Sequence, residues 1–279
     1  MGEIWYRFKK NKLALFGFSV LLVFIILALA APIIAPYDPF EMNTQSTLQK
    51  PNSSHIFGTD QFGRDILSRI IHGTRISFKV GVISVGISLV VGVVMGISAG
   101  YFGGWIDIVI SRIIDIMFSF PDIFLALVIM AILGTSLTNV MIAIGIVYTP
   151  IFARIARGST LTVKDNAYIE AARSIGVGDL MTIIRHILPN ILAPLIVQIT
   201  LSFGFAIRSE AALSFLGLGV EPDVPSWGIM LNEGKDWMEL AWWVSVFPGL
   251  AATLAILSFN VLGDGLRDAL DPKLKNESE

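Results

Sequence analysis

The chain has 279 residues, of which 54% are hydrophobic and only 15% charged, with a net charge of −2 and a mean hydropathy of +0.73. Soluble domains carry about 25% charged residues, so this composition is that of an integral membrane protein, and its charge balance offers nothing to a nucleic acid. Cysteine is absent, which excludes disulfides, thiolate metal sites and cysteine nucleophiles.

Residues 1–12 carry Arg7, Lys9, Lys10 and Lys12, and residues 13–33 form the first apolar run. A basic flank before such a run places the N-terminus in the cytoplasm. Ala28 and Ala30 mimic a signal-peptide cleavage site, but the length of the run favours an uncleaved span. Residues 34–76 are expected outside, with Pro36, Pro39 and Pro51 marking irregular chain. Within them Thr59 or Asp60 would cap an interfacial helix. Phe62, Ile66, Ile70 and Ile71 would share one of its faces, with Arg64, Asp65 and Arg69 projecting elsewhere. The second span, 77–101, contains Gly81, Gly86, Gly92, Gly96 and Gly100 with Ser84 and Ser88. Small residues so spaced let helices pack closely in lipid.

Residues 105–133 are too long for one crossing. They read as an amphipathic lead-in and a third span, 116–133, kinked or started at Pro121. Asp115 and Asp122 fall at the membrane boundary, and Arg112 is spaced to pair with Asp115. The fourth span is 138–156, with Arg154 and Arg157 at its exit. The fifth, 190–210, ends at Arg208 and Glu210. Residues 211–220 are too short to cross and read as a re-entrant or interfacial piece. An acidic outer loop, 221–239, contains Pro222, Pro225 and Trp227. Trp242 and Trp243 form an aromatic belt before the sixth span, 242–262. In this layout both termini are cytoplasmic, and most of the 20 Lys and Arg lie on that side. His55, His72 and His186 lack metal-ligand spacing.

The segment 166–189 differs from the rest. Tyr168, Ala171, Ala172 and Ile175 recur at i, i+3, i+4, i+7. Gly176 and Gly178 stop that helix, and Asp179 is placed to cap a second. There Leu180, Ile183, Ile184, Ile187 and Leu188 share a face until Pro189 interrupts. A small surface at Ala171 and Ala172 would let a partner's backbone come close, ringed by Glu170, Arg173, Arg185 and His186. A plain amphipathic linker lying on the bilayer is the alternative.

Glu170-Ala171-Ala172, then Gly176, then Leu188-Pro189 resembles the EAA loop of ABC-importer permeases. His186 stands where the general motif has Ile, as in the peptide and nickel subgroup. Phe57–Ser77, Leu213–Gly228 and Asn260–Pro272 resemble the same subgroup. The resemblance implies an all-α membrane protein with the six transmembrane helices of the type I importer (MetI-like) permease fold. It implies a single permease domain, 13–279, after a short cytoplasmic N-terminus. Residues 166–189 would be a cytoplasmic coupling helix, with Tyr168, Glu170, Ala171, Ala172, Arg173, Gly176, Asp179, His186 and Pro189 engaging an ATPase.

The implied partners are a second homologous permease, two ATPase subunits that bind ATP and magnesium, an external substrate-binding protein and membrane lipid. No cofactor is expected in this chain. Arg208 and Glu210 are candidates for a translocation path or gate. The expected cargo is a di- or oligopeptide, with nickel or a glutathione-type substrate as alternative. No phosphate-binding loop, H-E-x-x-H or G-x-S-x-G occurs, which argues against an enzyme. The lack of a visible inverted repeat argues against a secondary transporter.

Overall fold

The computed structural model describes residues 8–219 and 224–270. Arg7, Lys273 and Lys275 of the expected inner flanks, and Glu221 and Pro222 of the expected acidic loop, lie outside the described residues.

Helix α1, Lys12–Ile34, begins where the Asn11 side chain accepts the Ala14 N–H at 3.1 Å. An irregular segment follows, with a single 3-10 turn at Thr44–Ser46. Helix α2, Ile66–Phe102, is 37 residues long. Its cap is Asp65, whose carboxylate accepts from the Ser68 N–H and hydroxyl at 2.8 and 2.7 Å. At about 1.5 Å per residue it far exceeds the roughly 30 Å of a bilayer's apolar core. The expected interfacial helix is therefore not a separate element. Its Ile66, Ile70 and Ile71 are the buried first turns of α2, because nothing after Asp65 breaks the helix. Even Gly73 stays helical, where a Cβ would press on Pro225 and Trp227 at 3.0 Å.

Helices α3, Gly104–Phe118, and α4, Asp122–Leu133, meet at a 97° bend. The bend divides the expected third span, 116–133, and α4 alone, at 12 residues, is too short to cross. Helix α5, Leu137–Val163, starts at Ser136, whose hydroxyl accepts the Asn139 N–H. Two short helices follow, α6 at Ala167–Ser174 and α7 at Asp179–Thr182. The chain then winds on through a π turn, Ile183–Ile187, and a 3-10 turn, Leu188–Ile191, into α8, Leu192–Phe215. Pro189 does not interrupt this path. It occupies the first turn of the 3-10 segment, where a missing N–H costs little.

Residues 211–215, expected in a re-entrant piece, are the last turn of α8, which stops before Gly217 at φ +80°. The expected acidic loop contains α9, Trp227–Lys235. Trp227 is fully buried and its indole N–H donates to the Ile70 carbonyl at 3.2 Å. Helix α10, Trp243–Leu270, is the last element among the described residues. Its Trp243 turns inward and donates to the Thr59 carbonyl, whereas Trp242 is half exposed. Among the described residues five segments are long and apolar enough to cross a membrane (α1, α2, α5, α7–α8 and α10), and the bent pair α3–α4 is a sixth if it is counted as one broken span.

The most extensive helix contact joins α2 to α5. Cβ atoms at Gly92 and Gly100 would lie 2.6 Å from Phe152 and 2.9 Å from Thr160. Gly96 meets Ala156 in the same way at 2.7 Å. Ser84 and Ser88 donate to the Met141 and Gly145 carbonyls of α5 at 2.9 and 2.7 Å. The expected role of this small-residue stripe in close packing is met at those positions. Gly86 differs, with nothing within 4 Å.

At the end of the bundle far from α6, Arg64 and Arg69 do not project outward but are 3% and 1% exposed. Arg64 donates to Asp60 at 2.6 Å and to Glu233 of α9 at 2.8 Å, and Arg69 reaches Glu233 at 3.0 Å. Opposite charges drawn from three parts of the chain make that burial tolerable.

Replacing Gly96→Val should force α2 from α5 and cost about 1–3 kcal/mol, seen as a lower midpoint of thermal unfolding of the purified protein. Gly86→Ala should show no loss. Equal midpoints for both would contradict the packing described.

Candidate functional site

Helix α6 sits at the end of the bundle where α2 and α5 finish. Ile169 is fully buried and Ala172 nearly so, holding α6 onto the core that includes Phe152, Ala156, Ile187 and Ile191. The outward face is Tyr168, Ala171 and Ile175, with Ile175 82% exposed. The single face expected of Tyr168, Ala171, Ala172 and Ile175 is therefore divided. Ala172 lies one turn from Ile169 and is shielded by its own chain.

Gly176, at φ +85°, ends α6. The Gly176 N–H donates to the Arg173 carbonyl and the Val177 N–H to Ala172, which closes a Schellman-type turn. No atom crowds the Gly176 position, so the residue is needed for its backbone conformation. Gly178, not Asp179, is the cap of α7. The Asp179 carboxylate instead accepts the Tyr101 hydroxyl at 2.7 Å, and the Arg173 guanidinium lies over the Tyr101 ring at 4.7 Å. Lys164 donates to the Gly100 carbonyl at 3.0 Å. The segment is thus tied to the last turn of α2.

Glu170, Arg185 and Pro189 are exposed, and His186 is half-buried with its ring 6.4 Å from that of Tyr168. The face expected from Leu180 to Leu188 is also divided. Ile187 is buried, while Leu180, Met181 and Ile184 are more than half exposed. Together with Tyr168 and Ile175 they leave an apolar surface at this end, of the kind that marks interaction sites. Ile169 and Tyr101, which anchor the segment, were not singled out from the sequence. Ile169 falls on the face opposite the one the spacing emphasised, and Tyr101 is distant in the chain.

Arg208 and Glu210 point apart. Glu210 is fully buried and accepts from the Ser214 hydroxyl at 2.8 Å. It takes no part in the cavity beside Arg208. Arg208, 54% exposed, donates to Asp122 at 3.1 Å. The Tyr148 hydroxyl donates to the same carboxylate at 3.3 Å and shares a 2.8 Å hydrogen bond with Ser209. Asp122, Tyr148 and Arg208 line a cavity of about 340 Å³ between α3, α4, α5 and α8, together with Phe118, Phe120 and Phe205.

Asp115 pairs with Arg154 at 3.4 Å rather than with Arg112, and Asp107 pairs with Arg157 at 2.5 Å. Helix α3 lies along α5, so contacts between helices displace the pairing expected within one. Tyr148 and Arg208 belong to spanning helices, away from their ends. An exposed charge there is costly against lipid, so this flank calls for water or protein beside it.

Comparisons with known proteins agree with this architecture. Residues 92–276 match the family described as binding-protein-dependent transport system inner membrane component. Residues 1–51 match the N-terminal TM domain of oligopeptide transport permease C. The chain is 48% identical over 98% of its length to the dipeptide transport system permease protein DppC of Alkalihalophilus pseudofirmus, of which it covers 90%. It is 47% identical over 99% of its length to the di/tripeptide permease DppC of Pseudomonas aeruginosa, covering 93% of that protein. It is 45% identical over 98% of its length to the glutathione transport system permease GsiD of Pectobacterium atrosepticum, covering 91%. In fold it resembles a chain of the inward-facing MetNI methionine ABC transporter, with a TM-score of 0.60 at 18% identity. That match covers 74% of this chain and 98% of the other. The chain belongs to the family of binding-protein-dependent transport system inner membrane components, and is a multi-pass permease subunit of an ABC importer with the type I, MetI-like fold.

Proposed function

We propose that this chain forms half of the translocation path of an ATP-driven importer of short peptides, and that residues 166–189 couple it to a cytoplasmic ATPase. One observation carries the coupling role. Helix α6 is fastened to the bundle by Ile169 and Ala172, while Tyr168, Ala171 and Ile175 on its other side remain uncovered. A rigid mount with an open apolar face suits an element that receives force from a partner. The chain has no phosphate-binding motif of its own, so ATP and magnesium belong to the partner subunits. A second permease would cover the charged flank at Asp122 and Arg208, and an external binding protein would deliver the cargo. The relatives are named for dipeptides, di/tripeptides and glutathione. Their common denominator is a short peptide, and that is the cargo proposed here. Lys164, Arg173 and Arg185 on the α6 side favour a cytoplasmic location for that end and for both termini.

The coupling role is tested in the assembled transporter with Ala171→Trp and Ile175→Asp, both on the outward face. Losing a buried apolar contact costs about 1.5–3 kcal/mol, so ATPase retention on purification should fall at least about tenfold. Stimulated ATP hydrolysis should fall with it, while membrane insertion stays normal. Ala172→Trp should instead destabilise the permease itself, and Arg267→Ala should have little effect. Full ATPase binding and stimulation in both outward-face variants would remove the coupling role.

Orientation is tested separately with single cysteines, since the chain has none. An impermeant thiol reagent added outside should label Asn52→Cys and Glu239→Cys and spare Asp165→Cys, three exposed positions. The reverse pattern would invert the topology.

A further inference from the structure

Two of the ion pairings among the described residues contrast sharply. At the far end, Asp60, Arg64, Arg69 and Glu233 are joined by several contacts, with the first three buried and Glu233 partly so. The pair Asp122–Arg208 is different. It is a single 3.1 Å contact, with the two side chains 39% and 54% exposed, opening on a cavity lined mainly by aromatic and aliphatic residues. Its carboxylate is held from behind, because the Tyr148 hydroxyl donates to it and is itself hydrogen bonded to Ser209.

A closed structural pair would gain from burial and from further bonds. This one is half exposed on a cavity, its carboxylate steadied only by the Tyr148 hydroxyl and the Ile123 N–H, and it sits where a charge is expensive. We propose that Asp122 and Arg208 receive the two charged ends of a peptide in transit, Arg208 taking the terminal carboxylate and Asp122 the terminal ammonium. The inference rests on the peptide-permease reading and gives that path its recognition groups.

The exchange is physically easy. A half-exposed ion pair adds little net stability, so opening it costs little. Two charge-assisted pairs form in its place, and the guanidinium fork matches a carboxylate. The same contacts offset the loss of hydration that a zwitterion suffers on leaving water. A volume of about 340 Å³ lies in the range of small-ligand sites. Phe118, Phe120 and Phe205 give the variable side chains an apolar wall without a fixed pattern of donors and acceptors. Such a site reads what all short peptides share and tolerates what differs between them. It serves a dipeptide and a glutathione-type tripeptide alike, since each carries ammonium and carboxylate groups.

The test uses the complete transporter in liposomes with its binding protein, supplied with radiolabelled dialanine, and reads peptide imported per ATP hydrolysed. Asp122→Asn and Arg208→Gln should keep binding-protein-stimulated ATP hydrolysis within twofold, with import per ATP falling at least tenfold. An unchanged ratio in both variants overturns the proposal. So does a parallel loss of hydrolysis and import, which is the mark of a purely structural pair. Should either neutral variant fail to assemble, Arg208→Lys decides. It keeps a cation beside Asp122 but loses the fork, so import per ATP should drop about fivefold, and an unchanged ratio overturns the proposal. If the unaltered transporter imports no dialanine or other short peptide, it is the peptide-permease reading that fails, and the two failures are distinct.

Discussion

The arrangement depends on how closely α2 and α5 approach. Lipid tails are as apolar as the side chains facing them, so burial from water does not hold spanning helices together. Close backbone packing and hydrogen bonds do. Gly92, Gly96 and Gly100 form a stripe on α2 that admits Phe152, Ala153 and Ala156 of α5. Ser84 and Ser88 spend their hydroxyls on carbonyls of the same partner. Once this pair is set, much else is placed. Helix α5 carries Tyr148 to the cavity and offers Arg154 and Arg157 to α3. Helix α2 delivers Tyr101 to the α6 segment.

Two treatments of charge coexist in this chain. At the far end, four charged residues from the irregular segment, α2 and α9 neutralise one another out of water. Removing one member of such a group leaves the others stranded, so the cluster fixes a geometry more than it adds net stability. It fastens α9 and the irregular segment to the bundle, aided by the Phe57–Phe247 stack at 4.3 Å and the Trp243–Thr59 hydrogen bond. In the middle of the bundle, Asp122 and Arg208 stay accessible and are joined by one contact. One arrangement resists change, and the other can exchange partners.

The apolar runs were legible because the bilayer imposes a length and a polarity that few sequences meet by accident. The small-residue stripe was legible for the same reason. What could not be read were the joints. No local signal distinguished a separate helix at 59–76 from the start of α2, since the stop that would have separated them does not exist. Pro189 looked like a break, yet a π turn followed by a 3-10 turn carries the chain past it. Helix α9 was hidden by the acidic and proline-rich surroundings of Trp227. Which of two adjacent alanines faces a partner was decided by Ile169, a residue that the spacing rule left out. The pairings of Asp107, Asp115 and Asp122 were out of reach for a simpler reason. Each partner is at least 39 positions away, on another helix.

Helix α2 is continuous from Ile66 to Phe102, with no proline inside it. Its first turns are clasped by the ion cluster through Arg69, and its last by Asp179, Lys164 and Arg173. A helix gripped at both ends and unbroken between them behaves as a push-rod. No proline lies between the two grips to place a sharp kink, so the α9 contact and the Tyr101 contact belong to one helix. The two faces of the membrane are thereby in mechanical contact through one continuous element.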